Sequence, residues 1–292
     1  MEKYASGEGI PRILHRIWID RDREDAPIPS KYKWHTENIL ELNPEWLILE
    51  WNSRQIKHLM ENDKTMSKYL PLYRRLKRPV MKADVARLVV LWCYGGIYMD
   101  LDFICRRPLV QLLQNYPNEI LLVPTPDCSL TSGSICNGFL ASVPKHPLWL
   151  IYLDEIEKRS KNCNDGYDVL NITGPAVLYE AARKWSSEWE KYAIPWYMIL
   201  PTDGNGQLVK EMKQKMRDIE NEVHRGIMSP SEVFALHDGP YVQTMWEDGT
   251  RWADEIWKEI IVNFISGYGA VVLSSIIVLL IFAYFESTWA VK

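Results

Sequence analysis

The sequence predicts an α/β fold followed by a single C-terminal transmembrane helix. Three observations support this. Apolar stretches of strand length alternate with stretches of helix length along residues 10–185, the pattern that layers helices on a sheet. Residues 82–103, KADVARLVVLWCYGGIYMDLDF, read as a buried helix, a two-glycine stop and a short strand bearing two aspartates. Residues 260–285 contain no charged side chain.

In chain order, residues 10–19, IPRILHRIWI, form a first buried strand containing His15 and Trp18. A charged, Pro-rich connection leads to an amphipathic helix over residues 30–42 with Ser30 as N-cap. Residues 46–51, WLILEW, form a second buried strand, and Asn52-Ser53 opens a helix that includes residues 54–60. Arg74, Arg75, Lys77 and Arg78 form a basic run, read as a solvated face, with anionic lipid headgroups the functional alternative. The helix of residues 80–94 has no internal Gly or Pro and ends where Gly95-Gly96 supplies a left-handed residue. Further on, residues 109–113, 147–160 and 176–185 read as helices, residues 119–123 and 197–201 as strands, and residues 210–224 as a charged, solvent-facing helix.

Within residues 97–102, Ile97, Met99 and Leu101 alternate with Tyr98, Asp100 and Asp102, so a period-two strand puts both carboxylates on one face. Two carboxylates beside a core hold a divalent cation, raise one pKa, or turn to water. Hard oxygen ligands suit Mn2+ or Mg2+, and such ions clamp diphosphates, so the implied substrate is a nucleotide derivative. Asp84 and Arg87, three apart on the preceding helix, share one face.

The set Asp84, Arg87, Gly95-Gly96, Tyr98, Asp100 and Asp102 resembles the DXD-containing family 32 glycosyltransferases, especially mannosyltransferases acting on inositol-phosphoceramide lipids. The segment NGFLASVPKHPLW from Asn137 and the Thr173-Gly174-Pro175 triplet extend the resemblance. It implies a GT-A-like nucleotide-sugar-binding domain over residues 1–255. It further implies that Trp18 stacks on the nucleotide base, that Asp84 and Arg87 fix sugar hydroxyls with Tyr98 closing the same pocket, and that Asn137 touches sugar or acceptor. Asp84, Arg87, Asp100 and Asp102 are the implied catalytic set. Asp100 and Asp102 hold Mn2+ (or Mg2+), with His237 as candidate third ligand and Trp246 in donor binding. The family's Ser-Trp pair after that histidine is here Thr244-Met245-Trp246, farther downstream. The implied reaction is metal-dependent transfer of a hexose, mannose from GDP-mannose, with retained configuration, to a hydroxyl of a membrane glycolipid or glycan. The sequence identifies no nucleophile for double displacement, which leaves front-face attack as the working mechanism. A UDP-hexose donor is the alternative within this fold. Outside it, the alternatives are an aspartyl phosphotransferase using Asp100 and a non-catalytic, membrane-tethered glycan-binding protein.

The run 260–285, at about 1.5 Å per helical residue, exceeds the roughly 30 Å hydrocarbon thickness of a bilayer. Gly267, Gly269, Ser274 and Ser275 suit a packed membrane helix, and Trp252, Trp257 and Trp289 flank it as interfacial anchors. Residues 286–292 form a short tail. Residues 1–9 are polar, without a signal-like apolar run. The five cysteines form no ligand or disulfide pattern, so the catalytic domain is expected on the cytosolic side, with the Golgi lumen as alternative. A net charge of −4 supplies no basic field for nucleic acid.

Overall fold

The computed structural model describes residues 9–124, 134–161, 169–194, 225 and 242–244. The chain divides into residues 1–247 and 248–292, and all described residues belong to the first. Strand 197–201, helix 210–224 and the apolar run 260–285 lie outside the described residues. Among the described residues, no helix is long and apolar enough to cross a membrane.

Strand β1 (Ile13–Ile17) is buried along its whole length. A 3-10 turn at Ser30–Tyr32 precedes α1 (Lys33–Leu42). Ser30 is therefore not the N-cap expected of it: Pro29 precedes the turn, and the turn's N-terminus has no side-chain cap. Strand β2 (Leu47–Trp51) is only partly buried, because it is an edge strand and not the interior one that its apolar run suggests. Helix α2 (Ser53–Asn62) starts as expected at Asn52, whose side chain accepts from the Gln55 N–H while the Gln55 side chain accepts from the Asn52 N–H.

The short helix α3 (Leu70–Arg75) leads into α4 (Pro79–Tyr94), with Pro at its N-terminus where the missing N–H costs nothing. Helix α4 stops at Gly95, φ 62°. A β-carbon on the next residue, Gly96 (φ 95°), would lie 2.4 Å from the Ile13 carbonyl oxygen. The glycine pair thus lets the chain reverse and lay β3 (Gly96–Met99) directly against β1.

Strand β4 (Phe103–Cys105), helix α5 (Leu109–Asn115), strand β5 (Ile120–Leu121) and strand β6 (Phe139–Ser142) follow. Then come α6 (Leu148–Lys161), α7 (Val169–Ile172), α8 (Pro175–Trp185) and β7 (Val242–Thr244). The main sheet has order β2-β1-β3-β6-β5. Strands β2, β1 and β3 are parallel, while β6 runs antiparallel to both β3 and β5. Strands β4 and β7 form a separate antiparallel pair. The fold is mixed α/β.

Strands β1 and β3 are buried throughout because both faces of the sheet are covered. Leu14, Ile97, Met99, Phe139 and Ala141 share one cluster with Ile39 of α1 and Leu109 and Leu112 of α5. His15 and Tyr98 point the other way, toward α4. His15 Nδ1 accepts from the Trp51 indole at 3.1 Å, so the ring proton sits on Nε2 and is donated to the Gly95 carbonyl at 2.8 Å. His15 is thereby a structural histidine that ties β1 to the glycine stop.

Candidate active site

The aspartate pair lies beyond the carboxyl ends of the parallel strands, where ligands of open α/β sheets bind. Strand β3 ends at Met99, one residue short of the first aspartate. The expected strand through Asp102 is therefore a turn, closed by the Phe103 N–H donating to the Asp100 carbonyl at 3.1 Å. Asp100 opens that turn and Asp102 is its third residue, so the two aspartates do not lie in one strand.

Two features outside residues 82–103 hold the turn. The Asp100 N–H donates to the Gly138 carbonyl at 2.8 Å, extending the β3–β6 ladder by one bond. From β1, the fully buried Arg16 donates to the Leu101 carbonyl at 2.8 Å and to the Phe103 carbonyl at 3.3 Å. Burial lowers the Arg16 pKa, and Asp102 is the foremost of the charges that counter this. Sequence reasoning passed over Arg16. The signal was there: an arginine inside the apolar strand ILHRI must find acceptors or not be buried.

Asp100 keeps a side chain 38% exposed. Its Oδ1 accepts from the Tyr98 hydroxyl and lies 3.6 Å from Arg87 Nη1. A β-carbon on Gly138 would lie 2.7 Å from Asp100 Oδ2 and 3.3 Å from its Cγ. Residue 138 must therefore be glycine for the carboxylate to keep this position, another requirement invisible in local sequence.

Behind Asp100 lies a buried polar cluster. Asp84 and Arg87, which share a face of α4 as their spacing predicts, form an ion pair at 3.0 Å with side chains only 3% and 5% exposed. Asp84 Oδ1 also accepts from Asn137 Nδ2 at 2.9 Å, and Oδ2 accepts from the Thr173 hydroxyl at 2.6 Å. Arg87 Nε donates to the Ala83 carbonyl at 3.3 Å, Nη1 donates to the Asn137 carbonyl, and the guanidinium lies 4.6 Å from the Tyr98 ring centroid. Burial pushes the Asp84 carboxyl up to about 6, while Arg87, Thr173 and Asn137 pull it back. Burial alone would lower Arg87, but Tyr98, Asp100 and Asp84 outweigh it and raise the guanidinium. The cluster therefore carries a carboxylate and a guanidinium at neutral pH.

These shifts set a pH dependence of stability. Burial lowers His15 and His146 from 6.5 to about 4, so unfolding takes up protons between those values. Stability is full above the upper value and falls as pH drops through the window. Asp84, raised from 3.8 to about 6, acts in the opposite sense, but one carboxyl does not cancel two imidazoles. Denaturant unfolding at pH 7.5 and pH 5 should show the protein less stable at pH 5. His15→Gln should flatten that difference by up to about 2 kcal/mol, and an unchanged slope would contradict the assignment.

Trp18, just past β1, is partly exposed. Its N–H donates to the Trp51 carbonyl at 2.9 Å, and its ring lies 6.2 Å from Tyr32. It sits at the same end of the sheet as Asp100, because β1 and β3 are parallel. Asn137 and Tyr98 join the cluster directly. His237 and Trp246, the candidate third ligand and second donor aromatic, lie outside the described residues. Among the described residues, no three metal-ligating side chains cluster.

Residues 29–119 match the family described as the glycosyltransferase sugar-binding region containing a DXD motif. An uncharacterised glycosyltransferase of Acanthamoeba polyphaga mimivirus is 29% identical over 61% of this chain and 66% of its own. Inositol phosphoceramide mannosyltransferase 2 of Schizosaccharomyces pombe is 30% identical over 64% of this chain and 48% of its own. A mannosyl phosphorylinositol ceramide synthase of Saccharomyces cerevisiae is 26% identical over 63% and 46%. The chain thus spans about half the length of these two yeast relatives. Among solved structures, the PaToxG glycosyltransferase aligns over 82% of this chain and 91% of that one, with 17% identity and a TM-score of 0.48. The matched segment contains Asp84, Arg87, Tyr98, Asp100 and Asp102, the residues that the fold gathers at one end of the sheet. Residues 29–119 are thus similar to a glycosyltransferase sugar-binding region of the DXD type.

Proposed function

We propose that the chain is a metal-dependent retaining glycosyltransferase of GT-A-like architecture. It transfers a hexose, mannose from GDP-mannose, to a hydroxyl of a membrane glycolipid or glycan. The observation that carries this reading is the convergence of the buried Asp84–Arg87 pair on Asp100 at the carboxyl end of β3. The two yeast relatives, named for inositol phosphoceramide mannosylation, support the sugar and the acceptor class. The apolar run 260–285 would tether the domain to a membrane, with the catalytic side cytosolic or, alternatively, in the Golgi lumen.

The residues fit a divalent cation. Asp100 and Asp102 offer hard oxygen donors, Asp100 retains an exposed side chain, and Gly138 leaves open the space that a β-carbon would fill beside Oδ2. Mn2+ or Mg2+ held there, with His237 as candidate third ligand, would neutralise charge on the departing diphosphate. Trp18 stacks on the nucleotide base, and Trp246 contributes to donor binding. Arg87 donates to sugar hydroxyls, and Asp84 accepts from one with the acceptor position that its three partners leave. Tyr98 fixes the Asp100 rotamer. Asp100 is a poor nucleophile, because one oxygen is committed to Tyr98 beside the Arg87 charge. The acceptor hydroxyl therefore attacks from the face that the diphosphate leaves, through an oxocarbenium-like state, and its proton passes to the departing diphosphate oxygen as the sugar–phosphate bond breaks.

Hydrolysis of a panel of nucleotide sugars by the full chain, with and without Mn2+, tests this. GDP-mannose should be cleaved in preference to UDP-hexoses, and only with the metal. Cleavage of a UDP-hexose alone would change the donor. Phosphate release from simple esters, with no donor cleaved, would overturn the transferase reading.

A further inference from the structure

We propose that Thr173 is a positioning residue that aims the Asp84 carboxylate at the donor sugar, an inference that rests on the function proposed above. Thr173 is wholly buried at the junction of α7 and α8, far in sequence from Asp84. Its hydroxyl has one proton. That proton goes to Asp84 Oδ2 at 2.6 Å, since the other acceptor in reach, the Val169 carbonyl, is at 3.4 Å.

The junction is itself fixed. The Tyr152 hydroxyl reaches the Thr173 carbonyl at 2.5 Å and the Gly174 carbonyl at 3.0 Å. The Thr173 and Gly174 N–H groups both donate to the Val169 carbonyl, at 3.0 and 2.9 Å. Asn137 and Thr173 meet on Asp84, and Tyr152 holds the Thr173 backbone, so four separate parts of the chain converge there.

Each oxygen of Asp84 therefore has a fixed partner. Arg87 and Asn137 take Oδ1, and Thr173 takes one position on Oδ2. A carboxylate has about four acceptor positions, so one remains, on Oδ2. The Thr173 hydroxyl decides where it points. Without that hydroxyl the carboxylate can rotate, and its last acceptor position no longer meets a fixed hydroxyl of the sugar.

The consequence is specific to the sugar. Asp84 has no part in holding the nucleotide, so loss of Thr173 should weaken binding of the nucleotide sugar and spare the nucleotide diphosphate. The experiment compares GDP-mannose with GDP, and UDP-glucose with UDP, by titration calorimetry on the full chain in Mn2+. Wild type, Thr173→Val and Thr173→Ser are each measured, beside their thermal midpoints.

Thr173→Val should weaken the nucleotide sugar by about tenfold or more and leave the free diphosphate within about twofold. Thr173→Ser, which keeps the hydroxyl, should restore the difference. Equal weakening of both ligands, no weakening of either, or failure of serine to restore the difference would overturn the positioning role. If valine prevents folding, Thr173→Ala removes the same hydroxyl without added bulk and carries the same comparison. If wild type binds none of the four ligands, the transferase reading fails instead, a result distinct from any of these.

Discussion

Replacing Arg87 with Met should abolish transfer and unsettle the fold together. Arg87 is the only described cation within ion-pairing reach of Asp84; its other contacts are Asp100, two backbone carbonyls and the face of Tyr98. Its loss leaves the Asp84 carboxylate buried beside Asn137 and Thr173 with no counter-charge. Breaking a buried ion pair from one side typically costs about 3–5 kcal/mol, and losing a preorganised donor at a reacting centre costs about 10²–10³ in rate. Arg87→Lys should recover little, because one ammonium cannot present a fork to partners on three sides. The double variant Arg87→Met with Asp84→Asn separates the two effects. It removes both charges and should regain stability without regaining activity. Denaturant unfolding and donor turnover on the three variants measure this, and recovery of turnover in the double variant would show that the pair is purely structural.

Gly138→Ala should do the reverse, sparing the fold and disabling the site. The added β-carbon would meet Asp100 Oδ2 at 2.7 Å and its Cγ at 3.3 Å. Asp100 is a partly exposed side chain, so the carboxylate can swing away at modest cost while the Asp100 N–H keeps its bond to the Gly138 carbonyl. The swing takes Oδ1 off the Tyr98 hydroxyl and spoils the geometry of the aspartate pair. A displacement of about 1 Å at a reacting centre can cost about 10² in rate. The thermal midpoint should stay close to wild type while metal-dependent donor cleavage falls about hundredfold. An unimpaired enzyme would mean that the Asp100 rotamer seen here is not the working one.

Local signals made the heart of the site legible. The i, i+3 spacing of Asp84 and Arg87 on an apolar helix placed both on one face, and the glycine pair placed the helix end, because each depends on residues a few positions apart. The end of β3 was harder. Alternation from Ile97 to Asp102 reads as one strand, whereas Arg16 from β1 bonds the Leu101 and Phe103 carbonyls and the chain turns at Asp100. The partners that complete the site are illegible for the same reason. Gly138 and Thr173 reach Asp100 and Asp84 across long stretches of chain, and a lone glycine or threonine carries no sign of what it will touch. The partial exposure of β2 likewise follows from strand order, which its own apolar residues do not encode.

The Asp100–Asp102 turn should support metal-dependent cleavage of a sugar nucleotide. The direct measurement is donor hydrolysis by the full chain in Mn2+ and in chelator, for wild type and Asp102→Asn. Cleavage that needs the metal and is lost in the variant is the expected result. Cleavage that persists in the variant, or is indifferent to chelator, would contradict the account.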